Sequence, residues 1–489
     1  MVKLDLSLRW LTPLGSLAAI AVAAIIPGCA LKAAPQQTDV LRRALPTTTV
    51  VPPAWKAAAN SGPVAVDWLT SFNDPMLEAI VSEAIANNPD LREAAEQVLI
   101  AQQNVIVVGA QLLPQVGAVL GARTTNDEGA GSNANATAAY AGVAWELDVW
   151  GKLRSQRAAA EAGYEATALD YAYARQSLAA TVAKAWYLAC ETRQLLATAE
   201  QSVVIYSSLM DLVTIRRQAG KDTDLDLYDA RAKLETAQAE VQRSRQTYDE
   251  ARRAIEVLLG RYPAAEIEAA PSYPLLSPLP AASTPASLLT RRPDIVAAER
   301  EVIAAFRLEE AAKLALLPTI SVSLGGGRLD DQVLSLLRLN PWLASAGIGV
   351  SIPIYEGGSL QAQIKIATAQ QVQAVARYGR VVLTAFREVE GAVANEESLA
   401  SRLPLGVAAN RDRIEAVRIA TEQYRGGKRD LLWVSNLQSQ QISTEVELVK
   451  LQGEQRVNRI KLLLALGSSF DAEPSDAAIV HASGESAAP

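Results

Sequence analysis

Residues able to do chemistry are few in this 489-residue chain, and they do not converge. The only histidine is His481, in a polar C-terminal tail, and the two cysteines are Cys29 and Cys190. No His/Cys/Asp group has metal-ligand spacing, and no glycine-rich loop leads from a strand into a helix as phosphate binding requires. Gly325-Gly326-Gly327 follows an alternating run and leads into a loop, so it reads as part of a hairpin. The carboxylate pairs Glu309-Glu310 and Glu396-Glu397 lie in helical stretches with basic neighbours, and solvated helix faces are the simplest reading. Cys190, between Leu188 and Leu195, reads as a small buried hydrophobe. A net charge of −7 without basic clusters argues against nucleic acid. The expectation is a protein that is not an enzyme and uses no cofactor or metal.

Cys29 is different. Lys3 and Arg9 precede an apolar, small-residue run from Leu11 to Ile26, closed by Ile26-Pro27-Gly28-Cys29. That is the layout of a cleavable export signal over residues 1–28. Its core is shorter than the ~20 apolar residues of a spanning helix. The end resembles a bacterial lipobox, which makes Cys29 a lipidation site, although Pro27 stands where alanine or serine is usual. A plain signal peptide with an incidental cysteine is the alternative. Several acyl chains anchor a protein stably, whereas one is marginal.

Around these residues the chain repeats itself. Asn88-Pro89-Asp90-Leu91, a helical stretch and Leu113-Pro114 recur 204 residues later as Arg292-Pro293-Asp294-Ile295, a helical stretch and Leu317-Pro318. Solenoid units have periods of ~20–50 residues, so this is a duplicated half-protein. Residues 29–65, with Pro46, Pro52, Pro53 and Pro63, read as an extended tether. The first copy spans 66–261, with a hairpin at about 114–149, a long helix over 151–217 and a helix over 223–260. A proline-rich connector (262–290) leads to the second copy, 291–468, with a hairpin at about 318–354, a long helix and a helix over 431–466. Residues 469–489 read as a disordered tail.

Each hairpin alternates with period two. Ala141, Val143, Trp145, Leu147 and Val149 oppose Tyr140, Gly142, Ala144, Glu146 and Asp148; Ile320, Val322 and Leu324 oppose Thr319, Ser321 and Ser323. Alternation alone also fits a half-buried soluble sheet. The runs are near the ~9–11 residues that cross a bilayer, and one face is small and hydrophilic. Tyr140, Trp145, Trp150, Trp342 and Tyr355 gather toward strand ends, as membrane-interface aromatics do. Four strands cannot close a barrel and lipid tolerates no open edge, so membrane strands would demand oligomerisation. The proline-free run from 151 to 217 would reach ~100 Å as one helix. Leu227, Leu234, Val241, Tyr248 and Ile255 recur every seven residues, a coiled-coil seam flanked by small residues. Its counterpart from Val434 carries Gln441, Gln455 and Asn458, which predicts a wetter face.

With these features assembled, residues 65–468 resemble the TolC-like outer-membrane efflux proteins, specifically the NodT-type lipoprotein branch. The resemblance rests on Cys29, Phe72-Asn73-Asp74-Pro75, the two Pro-Asp repeats, Trp145-Glu146-Leu147-Asp148-Val149-Trp150-Gly151-Lys152-Leu153-Arg154, and Ile352-Pro353-Ile354-Tyr355-Glu356-Gly357-Gly358. It implies a mainly α fold with a small β part: coiled-coil hairpins forming a periplasmic tunnel, and four transmembrane strands per protomer that make a 12-stranded barrel in a homotrimer. It implies a passive exit duct in the outer membrane of a Gram-negative bacterium, fed by an inner-membrane RND-type pump through a periplasmic membrane-fusion adaptor. The adaptor-docking tip would be Gly220, Lys221, Thr223, Leu225, Gly427, Lys428 and Leu431. In some members aspartates beyond the second turn form a cation-favouring gate; here Trp433 and Asn436 take those places. Asp430 with Arg429, and Asp226 with Asp229 in the first copy, complete the candidate gate, and solvated helix-cap carboxylates are the competing reading. A lipid-anchored coiled-coil scaffold or adaptor without a pore is the alternative function.

Overall fold

The computed structural model describes residues 31–57, 67–127, 132–278, 284–331 and 342–470. Cys29, the export signal and most of the C-terminal tail lie outside the described residues. In chain order the helices are α1 (Gln37–Ala44), α2 (Pro75–Asn87), α3 (Pro89–Gly109), α4 (Lys152–Gln218), α5 (Asp224–Leu258), α6 (Pro285–Arg291), α7 (Pro293–Leu314), α8 (Ser359–Arg425) and α9 (Leu431–Ala465). The strands are β1 (Gln115–Asp127), β2 (Ser132–Leu147), β3 (Thr319–Asp331) and β4 (Trp342–Ser351). The duplication is visible in lengths: α4 and α8 each hold 67 residues, and α5 and α9 each hold 35. The chain forms two compact units.

One unit comprises the described residues up to Pro46 together with 99–166 and 298–378. Its strands pair antiparallel in the order β1-β2-β3-β4. Strand follows helix because Leu113, held by Pro114 in the extended region (φ −101°, ψ 153°), cannot continue the helical turn. The register aligns Val116, Val143, Leu324 and Ala346 on one face, and Gly117, Gly142, Gly325 and Ser345 on the other. Val116, Leu120 and Ile348 on the apolar face are 79%, 83% and 78% exposed. Among the described residues nothing covers these side chains.

The expected extended tether is corrected in part. Residues 37–44 form α1, because Pro35 and Pro46 bracket a proline-free stretch with Asp39 in its first turn and Arg42 and Arg43 in its last. Val40 is buried, Gln37 Nε2 donates to Glu299 Oε2 at 2.8 Å, and Arg307 Nη1 donates to the Lys32 carbonyl at 2.6 Å. Glu309 also departs from the solvated-face expectation. It is 7% exposed, held by Thr368 Oγ1 and Lys313 Nζ, each at 2.8 Å.

The other unit comprises described residues of 47–98, 167–297 and 379 onward. Its core gathers Phe72, Leu77, Ile80, Val81, Trp186, Tyr187, Cys190, Ile255, Leu259, Ile460 and Leu463. Asp74 caps α2, accepting from the Leu77 N–H at 3.2 Å, and accepts Trp186 Nε1 at 2.8 Å. One carboxylate therefore starts a helix and satisfies a buried indole. The repeated Pro-Asp motifs share a task. Asn88 Nδ2 donates to the Leu258 carbonyl at 2.9 Å, and Arg292 Nη1 lies 3.4 Å from the Ala465 carbonyl, so each ties down the last residue of its copy's seam helix. Arg292 also binds Asp294 (2.7 Å) and Glu388 (2.7 Å). Burial opposes its charge, but those two carboxylates overcome that and raise its pKa.

The wetter second seam is also corrected. Gln441 and Asn458 are buried, and Asn458 Nδ2 donates to the Ala392 carbonyl (3.0 Å) and Glu396 Oε2 (2.8 Å). Arg459 Nε bonds Glu396 Oε1 at 2.9 Å, so Glu396 belongs to a buried ion pair and not to a solvated face. The pairing partner, 63 residues away, makes burial of that charge tolerable.

Glu256, near the end of α5, accepts backbone N–H groups of Ala265 (2.7 Å), Glu266 (2.5 Å) and Ile267 (3.1 Å), pinning the connector. Burial pushes its pKa up, but the three amides and Arg252 outweigh that and hold it below the usual range. A lowered folded pKa stabilises the fold above the unfolded carboxylate value of about 4.3, and the gain is lost as pH falls through the folded value. Glu256→Gln is expected to cost about 1–3 kcal/mol at pH 7. Thermal melts of the two proteins should converge below pH 4; a constant gap down to pH 3 would contradict the assignment.

Candidate functional site

The two helix-to-helix turns are built alike. At the end of α4, Gly220 adopts φ +67°, and the Gly220 and Lys221 N–H groups bond the Arg217 and Arg216 carbonyls, each at 2.9 Å. At the end of α8, Gly427 adopts φ +71°, with the Gly427 and Lys428 N–H groups on the Tyr424 (3.0 Å) and Gln423 (2.8 Å) carbonyls. A left-handed residue at each place costs glycine nothing and satisfies the last helical carbonyls. The next helices are capped differently. Thr223 and Asp226 form a reciprocal capping box on α5, whereas Asp430 alone caps α9 by accepting the Trp433 N–H at 2.9 Å.

Of the expected gate carboxylates, Asp226 and Asp430 thus serve as helix caps. Asp229 lies 3.6 Å from Lys233. Arg429 stacks over the exposed Trp433 ring at 4.7 Å, and Asn436 is exposed. Lys221, Asp226, Gly427, Lys428, Arg429, Asp430, Leu431 and Trp433 line one cleft of about 440 Å³ with Arg216 and Asp222. Gly220, Thr223, Leu225, Asp229 and Asn436 are not among its lining residues. Leu225 is 77% exposed.

Sequence reasoning missed the groups that join the two turns. Arg216 Nε bonds both Asp222 oxygens at 3.1 Å, and Arg216 Nη1 donates to the Tyr424 carbonyl at 2.9 Å. The Tyr424 hydroxyl donates to Asp222, and the Arg216 guanidinium lies 4.3 Å above the Tyr424 ring. Burial, then the bond to Asp222, pushes the Tyr424 pKa up, so the phenol stays protonated. Lys233 donates to the buried Ser435 hydroxyl, a second link between copies. The available signal was an arginine and an aspartate six residues apart around a turn glycine.

The strand-to-helix motif also resolves into contacts. Asp148 accepts the N–H groups of Leu153 (2.9 Å) and Arg154 (3.0 Å) and Arg154 Nε (2.9 Å), so it begins α4. Lys152 Nζ pairs with Glu146 at 2.6 Å. Trp145 Nε1 donates to the Leu112 carbonyl at 2.9 Å, and Trp150 Nε1 to the Pro318 carbonyl at 2.7 Å, one junction in each copy. Trp145 and Trp342 share the apolar sheet face, and Tyr355 is 84% exposed beyond β4.

Tyr140 departs from this group. It stands on the small, polar face opposite Gly327, and its hydroxyl hydrogen-bonds Ser345 Oγ at 2.9 Å. Its phenol occupies the space that a Cβ at Gly325 would need, and such an atom at Gly142 would lie 3.1 Å from Tyr140 Cε1; at Gly327 the Ala139 carbonyl and the Tyr140 backbone leave no room. An aromatic laid over strand glycines supplies the packing they lack. Cys190 is fully buried and free, and burial pushes its thiol up to about 12, which leaves it unreactive. Among the described residues no group of three acidic, His or Cys side chains is placed to hold a metal, and no helix is long and apolar enough to cross a membrane.

Duplicated long helices joined by glycine turns, with an amphipathic antiparallel hairpin in each copy, define a channel subunit of the outer-membrane type. The chain belongs to the outer membrane efflux protein family, whose model matches residues 80–261 and 284–468, one segment in each copy. It is 29% identical over 448 residues to the pyoverdine export outer membrane protein OpmQ of Pseudomonas putida, covering 88% of this chain and 94% of that one. It is 26% identical over 434 residues to the probable outer membrane lipoprotein SilC of Salmonella typhimurium, covering 86% and 93%. The solved outer-membrane channel OprN matches with a TM-score of 0.77 at 26% identity, over 87% of this chain and 98% of that one. The protein is therefore an outer-membrane channel component of an efflux system.

Gly325→Ala is expected to cost about 1–3 kcal/mol by displacing the Tyr140 ring. A double-mutant cycle with Tyr140→Ala checks this: the pair should cost less than the sum of the single changes, and strict additivity would refute the packing account.

Proposed function

We propose that three copies of this chain close a 12-stranded barrel in the outer membrane and form a passive exit duct. The open four-stranded sheet carries this reading. Among the described residues its edge strands β1 and β4 are unpaired, and its apolar face is exposed at Val116, Leu120, Leu324, Ile348 and Val350. Lipid leaves no partner for the backbone groups of an open edge, so the edges must pair with those of other copies. Trp145, Trp150, Trp342 and Tyr355 then lie at the membrane boundary, and Tyr140 lies in the lumen.

The helical hairpins extend into the periplasm in this reading, and Cys29 carries the acyl anchor. The turns at Gly220, Lys221, Thr223, Leu225, Gly427, Lys428 and Leu431 receive a periplasmic adaptor that couples the duct to an inner-membrane pump of the RND type. Energy comes from the pump, because the duct makes and breaks no bonds. The Arg216–Asp222–Tyr424 cluster holds the two turns together and keeps the entrance closed at rest. Arg429, Trp433 and Asn436 surround it, with Asp226, Asp229 and Asp430 acting as helix-end charges.

Unheated samples should run as trimers on a denaturing gel and give single-channel currents in planar bilayers. Tyr424→Phe removes the phenol bond to Asp222 and is expected to raise open time about tenfold or more, since one such bond to a charged group is worth about 1.5–3 kcal/mol and each 1.4 kcal/mol is about tenfold. Open times that match the wild type would remove Tyr424 from the gate. A monomeric, non-conducting protein would return the scaffold reading.

A further inference from the structure

The turn region has a charge balance opposite to that of the chain. The protein carries net −7, yet residues 216–233 and 422–433 together hold eight lysines and arginines against six carboxylates. All six carboxylates are engaged. Asp222 is bound by Arg216 and Tyr424, Asp224 by Arg217 (2.6 Å), Asp229 by Lys233 (3.6 Å), and Glu422 by Arg425 (3.2 Å). Asp226 and Asp430 face the positive ends of α5 and α9 as caps, where their charge offsets the helix dipole.

The cations are not so consumed. Among the described residues Lys221, Lys428 and Arg429 have no carboxylate partner, and all three line the same cleft of about 440 Å³. Arg429 is held over the Trp433 ring and bonds Gln423 at 3.4 Å, which orients its guanidinium without neutralising it. Counted with Arg216, four cations face Asp222, Asp226 and Asp430 in that cleft, a net charge of +1 (4 − 3), and the three cations outside any ion pair stand beside an indole, an arrangement that favours carboxylate- or phosphate-bearing solutes over metal cations.

We infer that this cleft is an anion site that makes the channel entrance prefer small anionic solutes over cations. The inference rests on the exit-duct reading and specifies the charge class that passes most readily. Three related copies would bring nine such cations to one entrance, and their field is strongest at low ionic strength.

The test uses the full-length protein in planar bilayers under a KCl gradient, with citrate as the polyvalent probe on the side of the helical turns. The expected result is a reversal potential of anion-preferring sign, several-fold in permeability at 0.1 M salt. The preference should weaken at 1 M, where the screening length falls from ~10 Å to ~3 Å. Citrate should block the current from that side. Lys428→Glu with Arg429→Glu should abolish both effects, and the milder Lys428→Gln with Arg429→Gln should weaken them while trimers still form. A cation-preferring wild type, citrate without effect, or unchanged selectivity in both double variants would overturn the inference. Absence of conductance from both wild type and Tyr424→Phe would instead overturn the duct reading, and the anion site with it.

Discussion

An unpaired backbone N–H or C=O costs several kcal/mol in hydrocarbon, and β1 and β4 each offer a full row of them. Most of the unusual features of the sheet follow from that constraint. Its apolar face is open, its other face is rich in Gly, Ser and Ala, and Tyr140 on that face lies over Gly325. A soluble sheet of this size would bury one face under its own helices. Here the apolar residues are the exposed ones, which is the reverse arrangement and the one that lipid requires.

Duplication supplies geometry, while divergence supplies function. Equal helix lengths in the two copies, and glycine turns 207 residues apart, set matching hairpins. Asn88 and Arg292 then do one job with different chemistry, each holding the end of its copy's seam helix. The amide is neutral and needs no partner beyond backbone. The guanidinium brings a charge into a buried position, which is tolerable only because Asp294 and Glu388 came with it. The second copy has gone further along that route, with Arg459 and Glu396 buried between α8 and α9. Asn458 in the seam is thus internal and matched, bonding Glu396 and the Ala392 carbonyl across the two helices.

Much of this was legible in sequence because local rules carried it. Period two marked the hairpins and heptads marked α5. The family resemblance rested on a motif whose residues prove to be caps and junction bonds: Asp148 on α4, Trp145 and Trp150 on neighbouring carbonyls. What escaped depended on long-range partners. Glu396 looked like a surface acid because Arg459 lies 63 residues away, and nothing near Tyr424 in sequence pointed to it because Asp222 lies 202 away. Helix α1 escaped for a different reason: proline content read over the whole tether hid a proline-free octet within it.

The turns show how one residue type can hold two incompatible roles. A carboxylate that caps a helix must face the backbone amides, while one that filters ions must face the solution. Asp226 and Asp430 face the amides. Acids elsewhere in the turns are matched by arginine or lysine at close range: Asp222 by Arg216, Asp224 by Arg217 and Asp229 by Lys233. The Trp433 ring holds Arg429 in place of a counter-ion. Aromatic support of a cation leaves its charge intact, whereas an ion pair would have cancelled it. In the cleft at the turns, Arg216, Lys221, Lys428 and Arg429 outnumber Asp222, Asp226 and Asp430 by one, so the balance is positive.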